Sequence, residues 1–161
     1  MYNDEILSRD EKINKIRGIV RDNPICMMAT NLVKIPFSAY PMTTLDLVDK
    51  GDLIFFTSKK ATPFNEIEKD NRVQLLYAND DKKEYLNVFA HATHIFDNLL
   101  LDKLWTPIMN RWFDGKNDPD LVILSVSIVH ANYWISEDSD SGESGFINLQ
   151  NYGDVDYKVD Q

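Results

Sequence analysis

The stretch from Leu53 to Ile67, Leu-Ile-Phe-Phe-Thr-Ser-Lys-Lys-Ala-Thr-Pro-Phe-Asn-Glu-Ile, concentrates residue types that could do chemistry. Its pattern predicts a strand delivering the hydroxyls of Thr57 and Ser58, then Lys59 and Lys60, then a helix capped by Thr62 with Pro63 at its first position. Free N–H groups and the dipole at a helix start attract an anion, so the segment reads as a phosphate cradle built without glycine. The same residues also read as an ordinary strand-to-helix turn carrying two solvated lysines.

Other reactive side chains are scattered. His91 and His94 stand three apart in a predicted strand, where such positions face opposite sides, so they do not jointly grip a metal from that strand. His130 is isolated, and Cys26 lies in an apolar run beside Met27 and Met28, as a buried structural thiol does. No Gly-x-Gly-x-x-Gly, Walker loop or Gly-x-Ser-x-Gly elbow occurs, and six glycines leave little material for a glycine-rich phosphate loop. Asp118-Pro119-Asp120 brings two carboxylates together, but a turn opening the next strand accounts for it. No metal site is expected.

The elements that must position these groups follow from periodicity. Ser8 with Glu11 three residues on has capping-box spacing, and Ile13, Ile16, Ile19 and Val20 recur at helical intervals, predicting a helix from Ser8 to Asp22 that Asn23-Pro24 stops. Strands are expected over Ile25 to Thr30, Ile35 to Thr43, Leu53 to Thr57, Arg72 to Ala78 and Glu84 to Phe96. Pro36 and Pro41 assign the second of these to a sheet edge or a bulge, since proline donates no ladder hydrogen bond. A short helix is expected through Lys69, and Asn98 to Phe113 has helical periodicity that Pro107 kinks or divides. The aromatics of that helix, Trp105, Trp112 and Phe113, read as packing against the sheet or as one wall of a ligand cleft. Val122, Leu124, Val126 and Ile128 alternate with Ile123, Ser125 and Ser127 in a period of two leading toward Trp134. Glu137 to Gly145 is rich in Ser, Asp and Gly and is expected to be a flexible loop. The reading is a mainly β protein: a closed antiparallel barrel of five or six strands with peripheral helices.

A chain of 161 residues suggests one domain, here 1–137, followed by an acidic tail, 138–161. Apolar residues at 43% supply a core, and the longest apolar runs fall far short of the roughly 20 residues a membrane helix needs. Residues Glu137 to Gln161 carry seven acids against Lys158 alone, so most of the net charge of −9 sits there and the body is only mildly acidic. The acidity disfavours nucleic acid, whose affinity comes from cations on phosphates. A single cysteine and a polar, acidic N-terminus suit a cytoplasmic protein.

Several segments in order, Leu53 to Thr57, Asn65-Glu66-Ile67, Asn71-Arg72-Val73, Tyr77-Ala78 and Tyr85-Leu86-Asn87-Val88, resemble the pyridoxamine 5'-phosphate oxidase-like flavoproteins. More narrowly, Leu104-Trp105, Arg111-Trp112-Phe113, Asp118-Pro119-Asp120-Leu121 and His130-Ala131-Asn132-Tyr133-Trp134 are similar to the general stress protein 26 branch. The resemblance implies a split β-barrel homodimer holding FMN in two clefts at the subunit interface, and an oxidoreductase acting on an unidentified small molecule. It places phosphate contacts at Phe56 and Thr57, with Ser58, Lys59, Lys60 and Thr62 beside them. It runs the strand of Ser38, Tyr40, Pro41 and Met42 along the flavin, sets Tyr85 near the ring system, lets Trp112 line the cleft, and makes Trp134 an aromatic that reaches the partner's cofactor.

The departures point the other way. Relatives carry Arg-x-Arg-Pro-Met where this chain has Ser38-Ala39-Tyr40-Pro41-Met42, and basic residues where it has Thr62 and Pro63. Each charge-assisted hydrogen bond lost costs roughly 1.5 to 3 kcal/mol. Trp134 leads into Ile135-Ser136-Glu137-Asp138 rather than a basic segment, so pyridoxamine phosphate oxidase activity is not expected. The alternative function is a non-catalytic split-barrel protein with weakened or lost flavin binding, serving as a stress-linked binding or interaction protein.

Overall fold

The computed structural model describes residues 7–136 and 142–150. Helix α1, Arg9–Asp22, opens where the Ser8 hydroxyl accepts the Glu11 N–H at 3.2 Å, and ends where Asn23 turns extended ahead of Pro24. Its apolar stripe, Ile13, Ile16, Ile19 and Val20, is buried in the main core.

Eight strands follow the helix in one curled sheet: β1 Ile25–Thr30, β2 Ser38–Thr43, β3 Asp46–Val48, β4 Asp52–Ser58, β5 Arg72–Asn79, β6 Glu84–Ile95, β7 Leu121–Ser136 and β8 Gly142–Asn148. The order across the sheet is β2-β1-β5-β6-β7-β4-β3, all antiparallel, with β8 also on β7. The two end strands, β2 and β3, are joined by the corner Thr44-Leu45, whose N–H groups donate to Pro24 O and Ile54 O, each at 2.8 Å. No ladder pairs β2 with β3 among the described residues, so the barrel is split rather than closed as the strand pattern had suggested.

The 16-residue β7 organises the sheet. One edge pairs with β6 along nearly its whole length; the other pairs with β4 through Leu121–Ser127 and with β8 through His130–Ser136. A bulge skips Val129, so that Phe89 faces His130 while Ala90 faces Ile128. Val122, Leu124, Val126 and Ile128 therefore face the core before the bulge, and Ala131 and Tyr133 face it afterwards. Trp134 is turned outward as a result, 46% exposed and opposite Tyr85.

The remaining differences from expectation are local. β2 starts at Ser38 rather than Ile35, because its partner strand ends at Thr30 and Pro36 offers no ladder donor. Its edge position is as Pro41 required. Helix α2, Thr62–Lys69, is preceded by Ala61 at the cap, so Thr62 and Pro63 occupy its first turn and no side chain caps it. Pro107 divides the third helical segment into α3, Asn98–Leu104, and a 3₁₀ turn, Pro107–Arg111. Part of the loop expected over Glu137 to Gly145 is instead strand: β8 takes in Gly142 to Gly145, because the second half of β7 offers an unpaired edge. Residues 137–141 lie outside the described residues. No helix among the described residues is long and apolar enough to cross a membrane.

Candidate functional site

The residues expected to bind a cofactor fall into three groups. In the first, Ser38, Tyr40 and Met42 alternate along the edge strand β2, and Met42 packs against the core while Pro41 is exposed between them. Their face of the sheet meets α2 at Glu66. One oxygen of that carboxylate accepts the Ser38 and Tyr40 hydroxyls, each at 3.0 Å, and the other accepts the fully buried Thr30 hydroxyl at 2.6 Å. Thr30 and Ser38 are register partners, which is why two strands converge on one helical side chain.

The β4-to-α2 segment forms the second group. Thr57 is buried on the core side of β4, and Phe56 faces outward, stacked on Trp105 at 6.5 Å between centroids and edge-on to Phe113 at 6.4 Å. Trp105 and Phe113 thus pack against the sheet, while Trp112 is 68% exposed. Ser58 closes the turn, its hydroxyl accepting the Lys60 N–H at 3.2 Å. The two lysines are directed to protein groups: Lys60 Nζ lies 3.2 Å from Asp120 Oδ2, and Lys59 Nζ sits 5.7 Å from the Phe96 ring centroid. Thr62 is exposed at the start of α2, Pro63 contributes no N–H, and the Phe64 N–H donates to Ala61 O at 3.2 Å.

Tyr85 and Trp134 make the third group, as cross-strand neighbours on the outward face of β6 and β7. The Tyr85 hydroxyl donates to Asp80 at 3.0 Å. Beyond them the outward face carries an apolar group at one side, Ile25, Met27 and Leu76, each about half exposed, and the register runs on from Pro41 through Met27, Leu76, Asn87 and Asn132 to Phe146. One copy of the chain therefore brings Ser38 and Tyr40 together, and Tyr85 with Trp134, on opposite faces of the sheet.

The other reactive groups stay apart. Burial pushes the Cys26 thiol up to about 12, which keeps it protonated and inert. His94 stacks on Phe64 at 4.2 Å with its Nδ1 2.8 Å from Glu68, and His130 lies between Phe89 and Phe146, where burial lowers its pKa. No group of three His, Cys, Asp or Glu suited to a metal occurs among the described residues. Asp118 caps its turn: the N–H groups of Asp114 and Asp120 bond its carboxylate, lowering its pKa. A cleft of about 310 Å³ beside His91 and His94, another of about 280 Å³ beside Phe96 and a third of about 170 Å³ beside Arg9 and Asp52 are lined by none of the expected cofactor residues.

These groups fit one part of FMN and not another. The aromatic outward face suits a planar ring, and the hydroxyl and carboxylate cluster suits a polyol. The phosphate end does not fit: Glu66 sets a negative charge where Ser38 and Tyr40 converge, both nearby lysines are engaged, and Pro63 withholds a donor. In the sequence Glu66 stands out only as part of Asn65-Glu66-Ile67; the hydroxyls of Thr30, Ser38 and Tyr40 are the available signal, but the docking of α2 over β1 that brings them to it is a non-local contact.

Fold and site together define a split-barrel protein whose hydroxyl-lined sheet edge meets helix α2 at Glu66, with Tyr85 and Trp134 side by side on the outward face. The chain belongs to the family described as pyridoxamine 5'-phosphate oxidase like, which matches residues 11–149. It is 38% identical over 73 residues to General stress protein 26 of Bacillus subtilis, covering 44% of this chain and 52% of that protein. It is 25% identical over 138 residues to Protein bli-3 of Neurospora crassa, covering 79% of this chain and 66% of the relative. The chain thus spans about half to two thirds of these curated relatives. Among solved structures it resembles the general stress FMN/FAD binding protein of Xanthomonas citri, with a TM-score of 0.68 at 26% identity, covering 80% of this chain and 92% of that one.

Proposed function

We propose that this chain is a homodimeric flavin-binding protein of the general stress type, cytoplasmic, passing electrons between a flavin and a small molecule. One observation carries the reading: the positions that the family assigns to the cofactor lie on two faces of a single curled sheet. Ser38, Tyr40 and Met42 face inward at the β2 edge, and Tyr85 and Trp134 face outward. A second copy, laid over the apolar surface of Ile25, Met27 and Leu76, completes the site with Trp134 of the partner subunit and covers a patch of a kind soluble monomers seldom leave open.

In this reading the strand of Pro41 and Met42 runs beside the ring, Trp134 closes over it, and the cluster at Glu66 orients the ribityl chain. A bound flavin supplies the redox chemistry, and these residues supply binding, orientation and exclusion of water. FMN is the form the family resemblance implies, and its phosphate is the part these residues suit least. The sequence after Trp134 carries Glu137 and Asp138 where a basic segment would hold a phosphorylated substrate, so pyridoxamine phosphate oxidase activity is not expected. The carboxylate at the β2 edge favours a second reading, a non-catalytic member with weakened or lost flavin affinity.

An absorption spectrum of freshly purified protein, before and after added flavin, separates the two. Flavin bands, or a spectral shift on titration with FMN or riboflavin, support the first reading, and colourless protein indifferent to both selects the second. A light-scattering dilution series that stays monomeric removes the shared site.

A further inference from the structure

Granted the flavin site just proposed, we infer that the cluster Thr30, Ser38, Tyr40 and Glu66 selects an uncharged polyol end over a phosphate, so that the chain binds riboflavin in preference to FMN. An ionised carboxylate offers about four acceptor sites and no donor. Three are filled here, by the hydroxyls of Thr30, Ser38 and Tyr40 at 2.6, 3.0 and 3.0 Å, which leaves room for one more hydroxyl. The end of a ribityl chain is such a donor. A phosphate ester brings only acceptors, with about −1.5 to −2 of charge at neutral pH.

The start of α2 does not reverse that balance. Thr62 precedes Glu66 by about one helical turn on the same face of α2, where such residues have Cβ atoms about 5 to 6 Å apart, so the carboxylate shares its face with the helix start. The helix dipole offers roughly half a positive charge there, against a whole negative one on Glu66. Its donors are also depleted, since Pro63 has no N–H and that of Phe64 is used by Ala61. The lysines of the turn point to other groups: Lys60 Nζ lies 3.2 Å from Asp120 and Lys59 Nζ 5.7 Å from the Phe96 ring centroid. The cluster is thus built to accept from hydroxyls, and the two lysines of the turn are paired with Asp120 and Phe96 rather than with the cluster.

The test is a fluorescence titration of the full-length protein with riboflavin and with FMN at two salt concentrations. Riboflavin is expected to bind at least about tenfold tighter at low salt. Raising salt from about 20 to about 300 mM should narrow the ratio, because only the charged ligand is repelled. Glu66→Gln should narrow it by strengthening FMN binding, and Thr62→Lys, at an exposed position, should do the same without touching the cluster. FMN binding as tightly as riboflavin overturns the inference and leaves the flavin reading standing. Failure of both ligands to bind overturns both. A ratio unmoved by either substitution overturns the assignment to this cluster.

Discussion

Replacing Thr30 by valine removes one hydroxyl and leaves the side chain's shape almost unchanged, which isolates the bond on which the candidate site depends. Thr30 is fully buried, and its hydroxyl donates to Glu66 at 2.6 Å, while Ser38 and Tyr40 bond the other carboxylate oxygen. A hydrogen bond to a charged group contributes about 1.5 to 3 kcal/mol. Valine offsets part of that by burying one more methyl, worth about 0.8 kcal/mol. The net expectation for Thr30→Val is a loss of about 1 to 2 kcal/mol, a fall in Tm of roughly 2 to 8 °C for a domain of this size. Thr30→Ser keeps the hydroxyl and loses the methyl, so it should cost about 1 kcal/mol or less if the packing relaxes. Urea unfolding monitored by circular dichroism supplies both numbers. In a Glu66→Gln background the Thr30→Val cost should shrink, since the two residues share one interaction. A Thr30→Val protein as stable as the parent, or additive costs across that cycle, would refute the claim that the carboxylate is held by this hydroxyl.

Two further predictions concern the scaffold. A Cβ on Gly145 would lie 2.5 Å from the Tyr133 hydroxyl and 2.7 Å from its ring, and Tyr133 is itself fixed by its bond to Glu143 at 3.0 Å. Gly145→Ala should therefore destabilise by about 1 to 3 kcal/mol and loosen β8, read as faster amide exchange across Gly142–Asn148, and unchanged stability and exchange would contradict the packing. Asp70, nearly buried, takes two bonds from the Arg72 guanidinium, at 2.9 and 2.7 Å, which hold its carboxyl below the usual 3.8. A depressed carboxyl stabilises the fold above its unfolded pKa and loses that contribution as pH falls through the folded value. Stability should thus decline below about pH 4. Arg72→Met should flatten that part of the pH profile, and an identical slope in both proteins would exclude the pair as its source.

The pKa directions also bear on what the site can do. Cys26 is kept protonated by burial, so it supplies no thiolate nucleophile at neutral pH, while burial between two aromatic rings lowers the pKa of His130.

Much of the architecture was legible in local patterns. The α1 stripe, the stop at Asn23-Pro24, the edge placement forced by Pro41 and the division at Pro107 each follow from a few neighbouring residues, because periodicity and proline geometry act within one or two turns of chain. The family, too, could be read from an ordered series of short motifs, and it accounts for the split barrel. What local pattern could not decide was anything set by pairing. A strict period of two along β7 puts Trp134 on the same side as Val122, Leu124, Val126 and Ile128, and only the bulge at Val129, created by register with β6, turns it outward beside Tyr85. β8 exists because the far half of β7 has an open edge, in a stretch whose composition reads as loop. The meeting of Glu66 with three hydroxyls from β1 and β2 spans up to 36 positions of sequence and depends on α2 docking over β1. Side-chain type and spacing thus determined which elements form; register and packing, which are long-range, determined which faces those side chains share and brought the Glu66 carboxylate to the β2 edge.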